Sequence, residues 1–98
     1  MLDKPMRALS QAEIDGFGEM VNFPKTLGVQ IISATEVEVV GELAVTSAIT
    51  NHTPNVHGGA VMSLGDELGA IGAFLNVPEG AQGTTTIESK TNFIRPAM

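Results

Sequence analysis

The stretch AVMSLGDELGAIGAFL, residues 60–75, constrains this chain more than any other. At about 100° per residue, Val61, Leu64, Leu68, Ile71 and Leu75 fall within one stripe roughly 80° wide, which predicts a helix over about 59–75. The opposite side carries Met62, Gly69, Ala70 and Ala73 and is not polar, so the helix is expected to be buried on more than one side. Gly65, Gly69 and Gly72 each cost up to about 1 kcal/mol of helix propensity relative to alanine. Close approach of another backbone is the expected compensation.

The elements around this helix are strands and one further helix. Ser10 followed three residues later by Glu13 has the spacing of a capping box, and Ile14, Phe17 and Val21 form a narrow apolar stripe, so a short helix is expected over about 11–21, ended by Pro24. Residues 27–33, LGVQIIS, are rich in β-branched side chains. Over 36–46, Val37, Val39, Leu43 and Val45 alternate with Glu36, Glu38 and Glu42, the pattern of a strand with one wet face. A hairpin at Ala34 and Thr35 would join the two strands. Residues 47–58 read as a loop, and 84–95 alternate again, with Thr85, Ile87, Ser89, Thr91 and Phe93 on one side, which predicts a long strand stopped by Pro96. The order gives an α+β fold with a helix laid on an antiparallel sheet. The chain reads as a single domain over 1–98, with an N-terminal helical segment at 1–24 and a core at 25–98.

Length and charge narrow the function. A 98-residue domain buries only about 60–65% of its unfolded surface, so a homo-oligomer, dimer or tetramer, is expected. A net charge of −6 with five scattered basic residues argues against nucleic acid or an anionic membrane as partner. The absence of cysteine excludes disulfides, zinc-thiolate sites and cysteine nucleophiles. No run approaches the roughly 18 apolar residues of a membrane span and the N-terminus lacks a signal-peptide core, so the expected compartment is the cytoplasm.

Two features carry chemistry. Asp66 projects from the side of the helix lined by Met62, Gly69 and Ala73. A carboxylate against apolar groups has its charged form disfavoured and its pKa raised, which suits acid or base work, whereas a solvated Asp66 beside Glu67 on an exposed edge would be an ordinary surface residue. His57-Gly58-Gly59 at the helix start offers backbone N–H groups to an anion or oxyanion, or is a plain glycine-rich turn with His57 as a structural hydrogen-bonding residue. His52 and His57 match no standard zinc spacing, and no metal or cofactor is expected. No GxSxG, GxGxxG or P-loop occurs.

The run from Asn51 through His57-Gly58-Gly59 to Leu64 and Asp66 resembles the signature of the hotdog thioesterases of the phenylacetyl-CoA and 4-hydroxybenzoyl-CoA branch. There an asparagine stands six residues before His-Gly-Gly, and Leu-x-Asp follows on the helix. Phe93-Ile94-Arg95-Pro96 is similar to the family's strand ending, and LGVQII to its opening, so the resemblance covers roughly residues 26–97. It implies a hotdog fold, an antiparallel sheet wrapped around a central helix, and hydrolysis of acyl-CoA thioesters.

By position, the resemblance makes Asp66 the nucleophile or general base and the Gly58 or Gly59 amide the oxyanion donor. Asn51 and His57 would shape the loop on the oxyanion side, and Thr85 would position water. It also places Met62, Ser63 and Arg95 at the substrate, and sets sites between subunits, with residues from both chains. Family members continue for two or more strands after the Arg-Pro, whereas this sequence ends at Met98. Either the chain is a piece of a longer product, or subunits complete each other. The competing reading is a non-catalytic acyl-CoA-binding or oligomerisation module of the same fold.

Overall fold

The computed structural model describes residues 6–78 and 80–95. Helix α1 spans Gln11–Glu19, α2 Phe23–Leu27 and α3 Gly58–Leu75, and the strands are β1, Val29–Ala34, and β2, Val39–Leu43. A single 3-10 turn at Ser47–Ile49 precedes α3. The predicted capping box forms: Glu13 N–H donates to Ser10 Oγ over 3.2 Å, and Ser10 N–H donates to Glu13 Oε1 over 2.9 Å. α1 ends at Glu19, short of the expected residue 21. Pro24 does not terminate a helix; it stands in the first turn of α2, where its missing N–H costs nothing and its fixed φ fits.

Strands β1 and β2 form an antiparallel hairpin, closed by a turn in which the Thr35 hydroxyl accepts from the N–H groups of Val37 and Glu38. β2 is shorter than the expected 36–46: within it Val39, Gly41 and Leu43 are half-buried and Val40 and Glu42 exposed, whereas Val37 and Val45, expected on the inward face, lie outside the strand and are exposed. In β1 the register shifts between Ile31 and Ser33, which pair with Gly41 and Val40. Ile32 is therefore an extra residue, and a bulge of this kind reverses which parity of the strand faces inward. Val29 and Ile31 face the helix before it; after it Ala34 does, at 2% exposure.

The core lies where α3 crosses this hairpin. Ile71 and Leu75 bury against Ala34, with Leu9, Ile31 and Val39 packed around them. A Cβ on Gly41 would stand 2.6 Å from Leu68 Cδ2, so this glycine lets the leucine of α3 seat directly on β2. The stripe read from the sequence is thus the inward face of α3. Its other side is open: Met62, Asp66, Gly69 and Ala73 are exposed, and an added Cβ at Gly65 or Gly69 would meet nothing within 4 Å. The backbone approach expected at these glycines is not supplied by the described residues, among which only Gly72 of the three has a neighbour, Val39 Cγ2 at 3.5 Å.

Residues 84–95 form no strand. Alternation gives a segment a wet and a dry face but not a ladder partner, and β1 and β2 pair only with each other among the described residues. The end of α3 is instead tied to the first half of the chain. Arg7 Nη1 donates to Val77 O over 2.8 Å, and the Asn76 carboxamide donates to Glu36 O and Gly72 O over 2.9 and 2.8 Å. The architecture is α+β, an antiparallel hairpin with a long helix laid across it, consistent with part of a hotdog fold.

Candidate active site

The start of α3 is set by the loop before it. The Asn51 carboxamide oxygen accepts from Thr53 N–H, the Thr53 hydroxyl and Asn55 N–H, at 2.9, 2.6 and 3.2 Å. Asn51 N–H donates to Asn55 O over 2.7 Å, and His57 N–H donates to Ile49 O over 2.7 Å. These bonds close the loop on itself and deliver His57 to the N-cap of α3. The oxygen of Asn51 is committed to the loop, so only its Nδ2 hydrogens are left to meet a ligand.

A helix leaves its first N–H groups without intrahelical acceptors. Here His57 satisfies those of three consecutive residues. Its Nδ1 accepts from Gly59 N–H at 2.8 Å, and its carbonyl accepts from Ala60 and Val61 at 3.0 and 3.3 Å. Gly58 N–H has no acceptor among the described residues. Gly58 lines a cleft of about 450 Å³ together with Asn51, Val61, Phe93 and Arg95. The ring of Phe93 covers the Gly58 α-carbon closely: a Cβ there would meet Phe93 Cζ at 3.1 Å.

Asp66 stands two turns further along the helix and faces a different cleft, of about 470 Å³, lined by Gly65, Gly69, Ala73 and the segment from Thr84 to Ser89. It is exposed, so the apolar enclosure expected of its face is not provided by the described residues. Its Oδ1 accepts a hydrogen bond from the Thr86 hydroxyl over 2.6 Å. Thr85, the residue read from the sequence as a water-holder, lines the same cleft. The hydroxyl that reaches the carboxylate is that of Thr86, a residue the sequence reading did not single out. The run Thr84-Thr85-Thr86 marked the place but not which hydroxyl.

The remaining positions separate. His57, Gly59 and Ser63 line a third cleft, of about 300 Å³, with Phe23 and Ile49. The Ser63 hydroxyl donates back to Gly59 O over 2.8 Å. Met62 is exposed one turn before Asp66. Arg95 lies with Asn51 and Gly58, not with Asp66. One chain therefore holds a carboxylate cleft and an amide-donor cleft apart. Eight residues of helix separate Gly58 from Asp66, a rise of about 12 Å, whereas a base and an oxyanion donor for one carbonyl must each lie about 3 Å from the reacting group. Among the described residues no cluster of three or more His, Asp or Glu side chains could hold a metal ion, and no helix is long and apolar enough to cross a membrane.

The site thus consists of a helix with an outward carboxylate at Asp66, begun by Gly58 and laid on an antiparallel hairpin. Residues 53–98 match the family model of the thioesterase superfamily, which supports the hotdog thioesterase family and, at that level, thioester hydrolysis. No curated protein and no solved structure matches the chain. The matched segment contains His57, Gly58, Asp66 and Thr86.

Proposed function

We propose that this chain hydrolyses acyl-CoA thioesters to the free acid and CoA, in the manner of the phenylacetyl-CoA and 4-hydroxybenzoyl-CoA branch of the hotdog thioesterases. The observation that carries this reading is Asp66, on the family-matched helix, facing an open cleft with its carboxylate held by Thr86. As general base, Asp66 takes a proton from a water whose oxygen attacks the thioester carbonyl carbon. The carbonyl oxygen gains negative charge, which the Gly58 N–H and the Asn51 Nδ2 hydrogens stabilise. Collapse breaks the C–S bond, and the CoA thiolate leaves and takes up the proton. As nucleophile, the same carboxylate forms an acyl anhydride, expelling the thiolate, and water then hydrolyses it.

The separation of about 12 Å along α3 supports a site in which Asp66 of one chain works with Gly58 of another. A homodimer with sites between subunits meets that requirement, and it would also cover the open face at Gly65, Gly69 and Ala73. Thr85 and Thr86 hold the attacking water and the carboxylate; Met62, Ser63 and Arg95 border the bound substrate.

The test is release of free thiol from a panel of acyl-CoAs by the purified chain, with Asp66→Asn as control. Turnover that falls by about 10²-fold or more in the variant supports the reading. A folded protein that binds acyl-CoA without turnover, equally in both forms, would make it a binding module instead.

A further inference from the structure

The proposed oxyanion donor, the Gly58 amide, sits at a helix start whose neighbouring amide is taken by the His57 ring. We infer that His57 is a positioning residue that acts as a neutral imidazole with its proton on Nε2: by taking the Gly59 N–H on Nδ1 it leaves Gly58 as the one donor of the first turn of α3. The inference rests on the proposed thioesterase for the role of the Gly58 amide, but not for the hydrogen bond itself.

Gly59 N–H lies 2.8 Å from His57 Nδ1, and a ring nitrogen that accepts a hydrogen bond carries no proton. Neutral imidazole has one N–H, so it resides on Nε2. Imidazolium has two donors and no acceptor, and cannot hold this bond. The Cβ site of Gly59 explains the residue chosen there: it would stand 2.9 Å from Nδ1 and 3.1 Å from Cε1, so a side chain at 59 would push the ring off its amide. Gly58 sits on the other side of the helix start, against Phe93, and the ring does not cover it.

Aspartate and asparagine are the usual residues for such a cap, because their side-chain oxygen reaches the same amides. Histidine does so only through Nδ1, so the cap depends on tautomer as well as on side-chain position. The Asn carboxamide oxygen falls close to where Nδ1 lies, whereas the Gln oxygen falls near Nε2. This offset separates capping from any need for an imidazole as such.

The test has two arms on the full chain. In the first, a long-range proton–nitrogen correlation of the histidine rings, with His57→Asn to assign the signals, is combined with amide exchange of Gly58 and Gly59. The expected result is a His57 ring unprotonated at Nδ1, with Gly59 protected and Gly58 exchanging freely. A ring protonated at Nδ1, or equal exchange of the two amides, overturns the inference whatever the enzyme activity.

In the second arm, turnover of acyl-CoA should stay within about fivefold of wild type in His57→Asn. In His57→Gln and His57→Ala kcat should fall by roughly tenfold or more at little-changed KM, as for a displaced oxyanion donor. Asn as poor as Ala would also overturn it. If the unaltered chain turns over no acyl-CoA, the thioesterase reading is what falls, and the first arm still decides the state of His57.

Discussion

The hydroxyl of Thr86 lies 2.6 Å from Oδ1 of Asp66 and joins two positions twenty residues apart, across the turn that follows α3. A hydrogen bond to an ionised group is worth about 1.5–3 kcal/mol, enough to fix which oxygen of an exposed carboxylate faces the cleft. Thr86→Val keeps the shape and removes the donor. Its kcat is expected to fall by about tenfold or more, with Thr86→Ser close to wild type and Thr85→Val affecting water placement separately. Steady-state kinetics on the three variants, with circular dichroism to verify folding, makes the comparison.

Gly58 is held between two demands, a free N–H and the Phe93 ring. Gly58→Ala puts a methyl 3.1 Å from Phe93 Cζ, so the ring must move or the helix start must shift. Phe93 is 53% exposed and its ring tip can swing away, so the expected outcome is a stability loss of about 1 kcal/mol or less, read as a slightly lower melting temperature, together with reduced turnover. Adding Phe93→Leu, which makes room, should recover part of the stability.

How far the sequence alone led can be judged at particular residues. The stripe Val61, Leu64, Leu68, Ile71 and Leu75 was legible because helical periodicity and burial coincide in it, and the Ser10–Glu13 cap was legible because its two bonds are local. The bulge at Ile32 was not, since no residue type there announces an extra residue in the ladder; only pairing with β2 reveals it. Pro24 reads in the sequence as a helix stop; the Asn22 side chain, which accepts from Lys25 N–H, instead caps a helix that the proline opens. The segment 84–95 has strand periodicity but no ladder partner among the described residues, and pairing is a property of two segments that one cannot encode.

The contact between Gly41 and Leu68 tests how α3 is seated. Gly41→Ala would place a Cβ 2.6 Å from Leu68 Cδ2 and 3.2 Å from Gln30 O, one neighbour flexible and the other backbone. A loss of about 1–3 kcal/mol is expected from denaturant unfolding. Leu68→Val should relieve the clash in the double variant, giving a coupling energy well above the roughly 0.3–0.5 kcal/mol seen for independent sites.

At the N-terminal helix, Glu13 is held below its ordinary value of 4.5 by the Ser10 backbone N–H first and by the Ser10 side chain second. A group whose folded pKa is depressed stabilises the folded form above its unfolded pKa, and that contribution is lost as pH falls through the lower, folded value. Protection of the α1 amides should therefore hold above pH 4.5 and decline below it. Ser10→Ala or Glu13→Gln should flatten that decline, which hydrogen exchange as a function of pH would show.

The spacing of Gly58 and Asp66 gives the most demanding prediction. If one site draws its carboxylate from one chain and its amide from the other, Asp66→Asn and Gly58→Pro should each be inactive alone, the second because proline has no N–H to offer; its φ suits the first helical position, and its ring, like the alanine methyl, requires Phe93 to move. Mixed after unfolding and refolding together, they form heterodimers in which one of the two symmetric sites is intact. Random association makes half the dimers mixed, so recovery to about a quarter of wild-type turnover is expected. If both groups acted within one chain, each chain in the heterodimer would still carry a defect and no activity would return. A sedimentation run on the same mixture shows that dimers form, so that silence in the assay reports on the geometry of the site and not on failed assembly.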